Sequence, residues 1–286
     1  MRSVEEKNQP DVRKKEKWKP YLDYVLKEQE WLKEHQEQEL KEIRSKDGLT
    51  LRAVYIPREN AKGTIICMHG YHSTNDIEFV PEVRFLWNLG YSILLPWQRS
   101  HGKSEGRYIT YGVKERHDLK RWILYTNRHL AAKNKDIFLC GISMGCATTL
   151  MAAGLDLPDN VKGIIADCGF TSPWDIIKHV AKERFYLPPF PLMYMVDLIS
   201  EVVAGFGLKE VSIPEIMKRN KIPVLFIHGD ADDYVPMWMT IKNYEACAAK
   251  KELYIVSGAG HALAFSKDME EGKRRIKNFI NKYKTI

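Results

Sequence analysis

The run Gly141-Ile142-Ser143-Met144-Gly145 constrains this chain more than any other feature. It follows four apolar residues suited to a buried strand, Ile137, Phe138, Leu139 and Cys140, and opens a stretch of Ala, Thr and Met suited to a helix. A serine at such a strand–turn–helix junction stands at a strained tip with its hydroxyl exposed. The flanking glycines are needed because helix and strand approach too closely for a Cβ. Ser143 is therefore the candidate nucleophile.

A serine hydroxyl is a poor nucleophile at neutral pH and needs a base held in the right tautomer by a third group. At elbows of this type the acid and then the histidine follow the serine in the chain, each after a late strand. An apolar run at 223–227 leads into His228-Gly229-Asp230-Ala231-Asp232-Asp233-Tyr234-Val235-Pro236, and one at 252–256 leads into Ser257-Gly258-Ala259-Gly260-His261-Ala262. His261, in a glycine-rich loop, is the candidate base. Asp230, Asp232 and Asp233 are the candidate acids.

The rest of the pattern alternates strand and helix from residue 47 onward. Strands are predicted at 49–56, 64–68, 91–96, 137–140, 164–166, 223–227 and 252–256, and helices at 81–89, 115–128, 144–155, 237–249 and 267–283. Alternation of this kind implies a mostly parallel sheet between helices. At 286 residues, with 44% hydrophobic and 28% charged residues, the chain suits one large α/β domain. The stretch at about 172–221 breaks the alternation. It is rich in Phe, Leu, Met, Val and Pro and too long for an ordinary connection, and it predicts a helical cap over the carboxyl edge of the sheet.

Residues 1–46 are compositionally apart, rich in Lys, Glu and Gln and without glycine. Trp18, Leu22, Val25, Leu32, Leu40 and Ile43 fit one helical stripe, broken by a polar run at 33–39, with Pro20 suited to the first turn. The expectation is a helical extension lying on the main domain; a homodimer arm or a membrane-surface anchor would use the same pattern. The net charge of +7 is interleaved with acids, which implies solvated helical faces and no nucleic-acid partner. The five cysteines form no CxxC pair, and four sit in apolar runs as small hydrophobes. With no apolar signal core and no apolar run near 18 residues, no integral membrane segment is expected and the expected location is cytoplasmic. His69 and His72 lack matching carboxylates or thiolates, and there is no GxGxxG or P-loop, so neither metal nor cofactor is expected.

From about residue 47 to the end the chain resembles the α/β-hydrolase superfamily, within it the bacterial serine esterase and lysophospholipase-like branch of serine-aminopeptidase type. HGDADDYVP is similar to that branch's HGxxDxxVP, which implies Asp232 as the triad acid. GAGHA is similar to its histidine loop, and RSHGKSEG (99–106) to its RxHGxSxG stretch. The resemblance implies an eight-stranded, mostly parallel sheet flanked by helices. It also implies an oxyanion hole built from the backbone N–H of Met144 and of Tyr71, with the helix at Met144 adding its positive end. Where relatives carry Asp two residues before Arg99, this chain has Trp97, which removes the expected ion-pair partner of that arginine. Cys146 is expected to pack.

The implied activity is hydrolysis of carboxylic esters, or thioesters, through an acyl-enzyme. A serine peptidase or amidase, or a perhydrolase, would use the same residues, and a non-catalytic binding protein could keep the fold. Phe185, Phe190, Met193 and Tyr194 of the cap are expected to line an apolar acyl or aromatic pocket, although helix packing calls for the same composition.

Overall fold

The computed structural model describes residues 16–34, 39–74, 78–130 and 135–285. One sheet contains β1 (Glu39–Arg44), β2 (Thr50–Ile56), β3 (Gly63–Met68), β4 (Ser92–Pro96), β5 (Asp136–Ile142), β6 (Val161–Asp167), β7 (Val224–Gly229) and β8 (Lys251–Val256). Their spatial order is β1-β2-β4-β3-β5-β6-β7-β8. β2 is antiparallel to both β1 and β4, and every pairing from β4 to β8 is parallel. This is the eight-stranded α/β-hydrolase sheet that the resemblance implied.

Why these runs form buried strands follows from the side-chain period of two. Along β3, Ile66 and Met68 enter one core while Ile65 and Cys67 enter the other. Along β5, Ile137 and Leu139 alternate with Phe138 and Cys140 in the same way. Both faces are covered, so these strands read as continuous apolar runs rather than as alternating ones. The first core is roofed by α3 (Glu115–His129), α4 (Met144–Ala152) and α8 (Met237–Ala246). The second is roofed by α1 (Leu22–Glu34), α2 (Val80–Asn88), α9 (Ala264–Lys267) and α10 (Met269–Tyr283). Because β5, β7 and β8 run parallel, the loops that follow them leave the sheet at one edge. That edge carries the site.

The predicted N-terminal helical extension is corrected in its last third. Residues 39–44 form β1, which pairs with β2 from Glu39 opposite Tyr55 to Arg44 opposite Thr50. Leu40 and Ile43 are three apart, a spacing that suggests one helical face, but in a strand they point to opposite sides. Leu40 is 54% exposed and Ile43 packs against the first core. The hairpin turn is closed by Ser45, whose hydroxyl donates to Asp47 at 2.6 Å and accepts from Leu49 N–H at 2.8 Å. Pro20 sits in a 3-10 turn (Glu16–Tyr21) ahead of α1 rather than in its first turn. Among the described residues of the extension, α1 lies as a helix on the main domain. Val25, Trp31 and Leu32 are buried, Tyr24 donates to Pro81 O at 2.9 Å, and Trp31 meets Trp87 edge-on at 5.7 Å. The side chain of Trp18 lies outside the described residues.

The segment between β6 and β7 is helical, as its periodicity predicted. It holds α5 (Pro173–Phe185), α6 (Pro189–Ile199), a π-helical turn (Ser200–Ala204) and α7 (Ile213–Met217). Ser172 caps α5 by accepting Asp175 N–H at 3.0 Å, and Pro173 supplies the fixed φ suited to its first position. On either side of residues 185–203 this insert touches segments outside it. Arg184 pairs with Asp233 at 3.2 Å, and Lys114 donates to Ala204 O at 2.7 Å.

Val25 is fully buried under α1. Val25→Ala should therefore cost about 2 kcal/mol, read as a lower urea midpoint, by loss of buried methyls and the void left behind. An unchanged midpoint would mean that α1 does not stay docked in solution.

Candidate active site

Ser143 occupies the turn between β5 and α4 with φ 56° and ψ −118°, a backbone conformation that is costly for a residue with a Cβ. The two glycines explain why the turn has this form. A Cβ on Gly145 would lie 1.7 Å from Met68 O, and one on Gly141 would lie 2.4 Å from Gly145 O. Ser143 N–H donates to Asp167 O at the end of β6 at 2.9 Å, which fixes the elbow to the neighbouring strand.

Of the three candidate acids, the structure brings Asp232 to the histidine. Asp232 Oδ2 accepts from His261 Nδ1 at 2.7 Å, and His261 Nε2 lies 2.9 Å from Ser143 Oγ. Since an ionised carboxylate can only accept, the imidazole hydrogen belongs on Nδ1 and the Nε2 lone pair faces the serine hydroxyl. Asp232 Oδ1 accepts the N–H groups of Tyr234 and Val235, both at 2.9 Å. Burial alone would raise the Asp232 pKa. The hydrogen bonds from His228, His261 and Val235, with the attraction of His261, overcome it and hold the carboxyl well below the usual range. Asp230 instead accepts Gly258 N–H at 2.6 Å, joining the acid loop to the histidine loop. Asp233 is 83% exposed in its side chain and pairs with Arg184.

The turn predicted to supply the second oxyanion donor lies against Ser143: a Cβ on Gly70 would be 3.2 Å from Ser143 Cβ. Gly70 N–H donates to Glu78, His72 N–H to His101 Nε2 at 3.1 Å, and Ser73 N–H to Gly70 O at 3.3 Å. Tyr71 N–H, between them, faces no acceptor among the described residues. Met144 N–H, at the head of α4, belongs to the first-turn amides that no helix can satisfy internally.

Two neutral imidazoles support this turn. His69 Nε2 accepts Gln98 N–H at 3.0 Å, and Gln98 Nε2 donates back to His69 O. Burial, and to a lesser degree His101, pull the His69 pKa down to about 3, so its ring stays an acceptor at working pH. Gln98 Oε1 accepts from Thr148 on α4 at 3.1 Å. The RSHGKSEG stretch thus braces the turn through His101, and the loss of an aspartate at Trp97 does not leave Arg99 alone. Arg99 binds Asp118 in a fork at 2.7 and 2.8 Å and Asp47 at 2.9 and 3.2 Å. The expected gap is filled from α3 and the β1–β2 turn.

Of the predicted pocket side chains, Phe190 and Tyr194 meet edge-on at 6.0 Å. Met193 is buried in the first core, whereas Phe185, Phe190 and Tyr194 are 65%, 75% and 55% exposed. α6 turns one face into the core and the other out to solvent, so its residues cannot all line one cavity. The aromatic groups at the site are instead Tyr234, tilted over His261 at 5.1 Å, and Tyr71, stacked on Tyr111 at 5.3 Å. Tyr234 was within reach of sequence reasoning, two residues past the acid. Tyr111, in a loop without a motif, was not.

Sequence reasoning also missed Asp167 and Cys168. Cys168 Sγ lies within 4.8 Å of the ligand atoms of Asp232 and His261, and burial pushes its thiol pKa up. Cys146 packs as expected, its sulfur filling the space beside Gly169. Asp167 is buried, and its Oδ1 has no partner among the described residues. Burial raises its pKa to about 7, with His228 opposing the shift and Asp232 adding to it.

A strained serine at a strand–helix elbow, with histidine and aspartate delivered from the same edge of an eight-stranded sheet, defines a member of the α/β-hydrolase superfamily. The pattern of the prolyl oligopeptidase family matches residues 104–285, and the chain belongs to that family. YqkD of Bacillus subtilis is 28% identical over 239 residues, covering 84% of this chain and 78% of that protein. YfhR of Escherichia coli K12 is 26% identical over 230 residues, covering 79% and 74%. Among solved structures, the Pyrococcus furiosus esterase Pf2001 superposes with TM-score 0.70 at 27% identity, covering 87% of this chain and 94% of that one. Est1E from Butyrivibrio proteoclasticus, solved with ferulic acid, shares the fold with TM-score 0.63 at 18% identity, covering 85% and 98%.

The folded chain keeps the Asp167 proton up to about pH 7, whereas an unfolded aspartate loses it near 3.9. This contribution to stability is therefore full below about pH 4 and is lost as pH rises through about 7. Between pH 5 and 8 the wild type should lose more stability than Asp167→Asn in parallel urea titrations. Equal slopes would assign the dependence to another group.

Proposed function

We propose that this protein is a serine hydrolase that cleaves carboxylic esters, and thioesters by the same route, through an acyl-enzyme. The observation that carries the reading is the unbroken line from Asp232 through His261 to Ser143, with links of 2.7 and 2.9 Å. In this scheme His261 Nε2 takes the Ser143 proton as Oγ bonds to the substrate carbonyl carbon. The carbonyl oxygen becomes an oxyanion facing the N–H groups of Tyr71 and Met144. Collapse breaks the bond to the leaving alkoxide or thiolate, which receives the proton from His261. Water then repeats the sequence on the acyl-enzyme, giving its proton to His261 and releasing the acid. Asp232, held ionised, stabilises the imidazolium in both halves. The reaction needs no cofactor, and Tyr71 and Tyr234 flank the reacting groups.

Ester preference is supported by the likeness to the Pyrococcus esterase. A second reading, amide or peptide cleavage by the same residues, is favoured by membership of the prolyl oligopeptidase family.

A fluorophosphonate probe should label the wild type and not Ser143→Ala, and Ser143→Ala should lower p-nitrophenyl ester hydrolysis roughly 10⁴-fold or more. A folded wild type that takes no label sinks the enzymatic reading. Labelling with no turnover of any ester, alongside cleavage of a peptide amide, transfers the assignment to the second reading.

A further inference from the structure

Ten of the fifteen large apolar side chains exposed among the described residues fall between positions 185 and 203. On α6 and its π-helical turn they are Tyr194, Met195, Leu198, Ile199, Val202 and Val203, exposed by 54–77%. Their spacing repeats every four residues, so they form two adjacent ridges on one face, the form in which helices interdigitate. Together with Phe185, Tyr186, Leu187 and Phe190 beside them, the ten exposed groups sum to on the order of 1,000 Å², taking about 150–250 Å² for a whole aromatic side chain. The largest apolar patch on an ordinary monomer is about 300–600 Å², and each side of a standard protein interface contributes about 800 Å².

The charges around the strip select its occupant. An interfacial helix that binds anionic lipid carries Lys and Arg along its polar flank. Between 185 and 203 this chain has no basic residue, only Asp197 and Glu201. Asp197 is occupied internally, accepting Leu208 N–H at 2.6 Å. The nearest cations on α5 are paired, Lys182 with Glu183 and Arg184 with Asp233. One further cation, Lys209, lies over the Tyr194 ring at 4.4 Å, with Asp197 and Glu201 as the acids of the strip, so the rim holds charges of both signs and lacks the row of cations that an anionic bilayer would attract. The apolar stripe of α1 is not available for such a contact, since Val25, Trp31 and Leu32 are buried within the chain.

The geometry points to a homodimer in which the outward face of α6 packs against the same face of a second copy across a two-fold axis. A two-fold contact needs one self-complementary patch, and a ridged helix face supplies it. Such a dimer would hold the strip's two flanks, Arg184 and Ala204, in place against Asp233 of the acid loop and Lys114 at the head of α3.

Sedimentation equilibrium at micromolar concentration tests this on the full chain. The wild type should have twice the chain mass. The double variant Leu198→Lys/Val202→Lys should have the single mass with an unchanged thermal midpoint, both positions being exposed. Should that variant unfold, Met195→Gln/Ile199→Gln is the milder pair, expected to weaken dimerisation at least tenfold. A wild type at single mass throughout, or a folded double variant that remains doubled, overturns the proposal. Binding of single-mass wild type to phosphatidylcholine vesicles also overturns it, in favour of a lipid surface.

Discussion

At Gly145 the backbone of the helix behind the nucleophile passes so close to the end of β3 that no side chain fits between them. That approach sets the geometry of the rest of the site. It forces Ser143 into a left-handed conformation and brings the turn after β3 within touching distance of the serine. It also places Met144 N–H, at the head of α4, directly after Ser143. A larger residue at either glycine would push α4 away from β3 and displace Ser143 even if Asp232 and His261 were kept.

Around this contact the protein keeps each charge in one state. Asp232 is held ionised by hydrogen bonds from four sides, while Asp167, in the same neighbourhood but with fewer donors, keeps its proton to about pH 7. Two carboxylates this near cannot both be charged without cost, and their environments drive them apart. Burial lowers the pKa values of His69 and His101, and both rings serve as acceptors for the backbone N–H groups of Gln98 and His72. Arg99, nearby, has two acidic partners and adds rigidity without free charge.

The parts legible in the sequence were those that local sterics enforce. Gly141 and Gly145, the buried strand before them, and the loops ending in Asp232 and His261 all leave marks within a few residues. Long-range partners leave none. Nothing around Arg99 announces Asp118 or Asp47, and nothing around Asp167 announces that it will be buried behind the elbow. β1 was misread because Leu40 and Ile43 have a spacing that suits a helix, whereas their strand is specified by pairing with β2. The exposure of Phe185, Phe190 and Tyr194 was hidden for a related reason. Apolar composition in residues 185–203 was visible, but which face of α6 would be covered depends on neighbours that the local pattern does not encode.

The acid and histidine loops are stitched together independently of their catalytic side chains. Asp230 holds Gly258, and Gly229 lies so near Ala259 that a methyl group could not be added. Imidazole and carboxylate consequently ride on one pair of joined loops, and since Ser143 is tied to β6, which is itself zipped to β7, a single stretch of sheet carries all three groups.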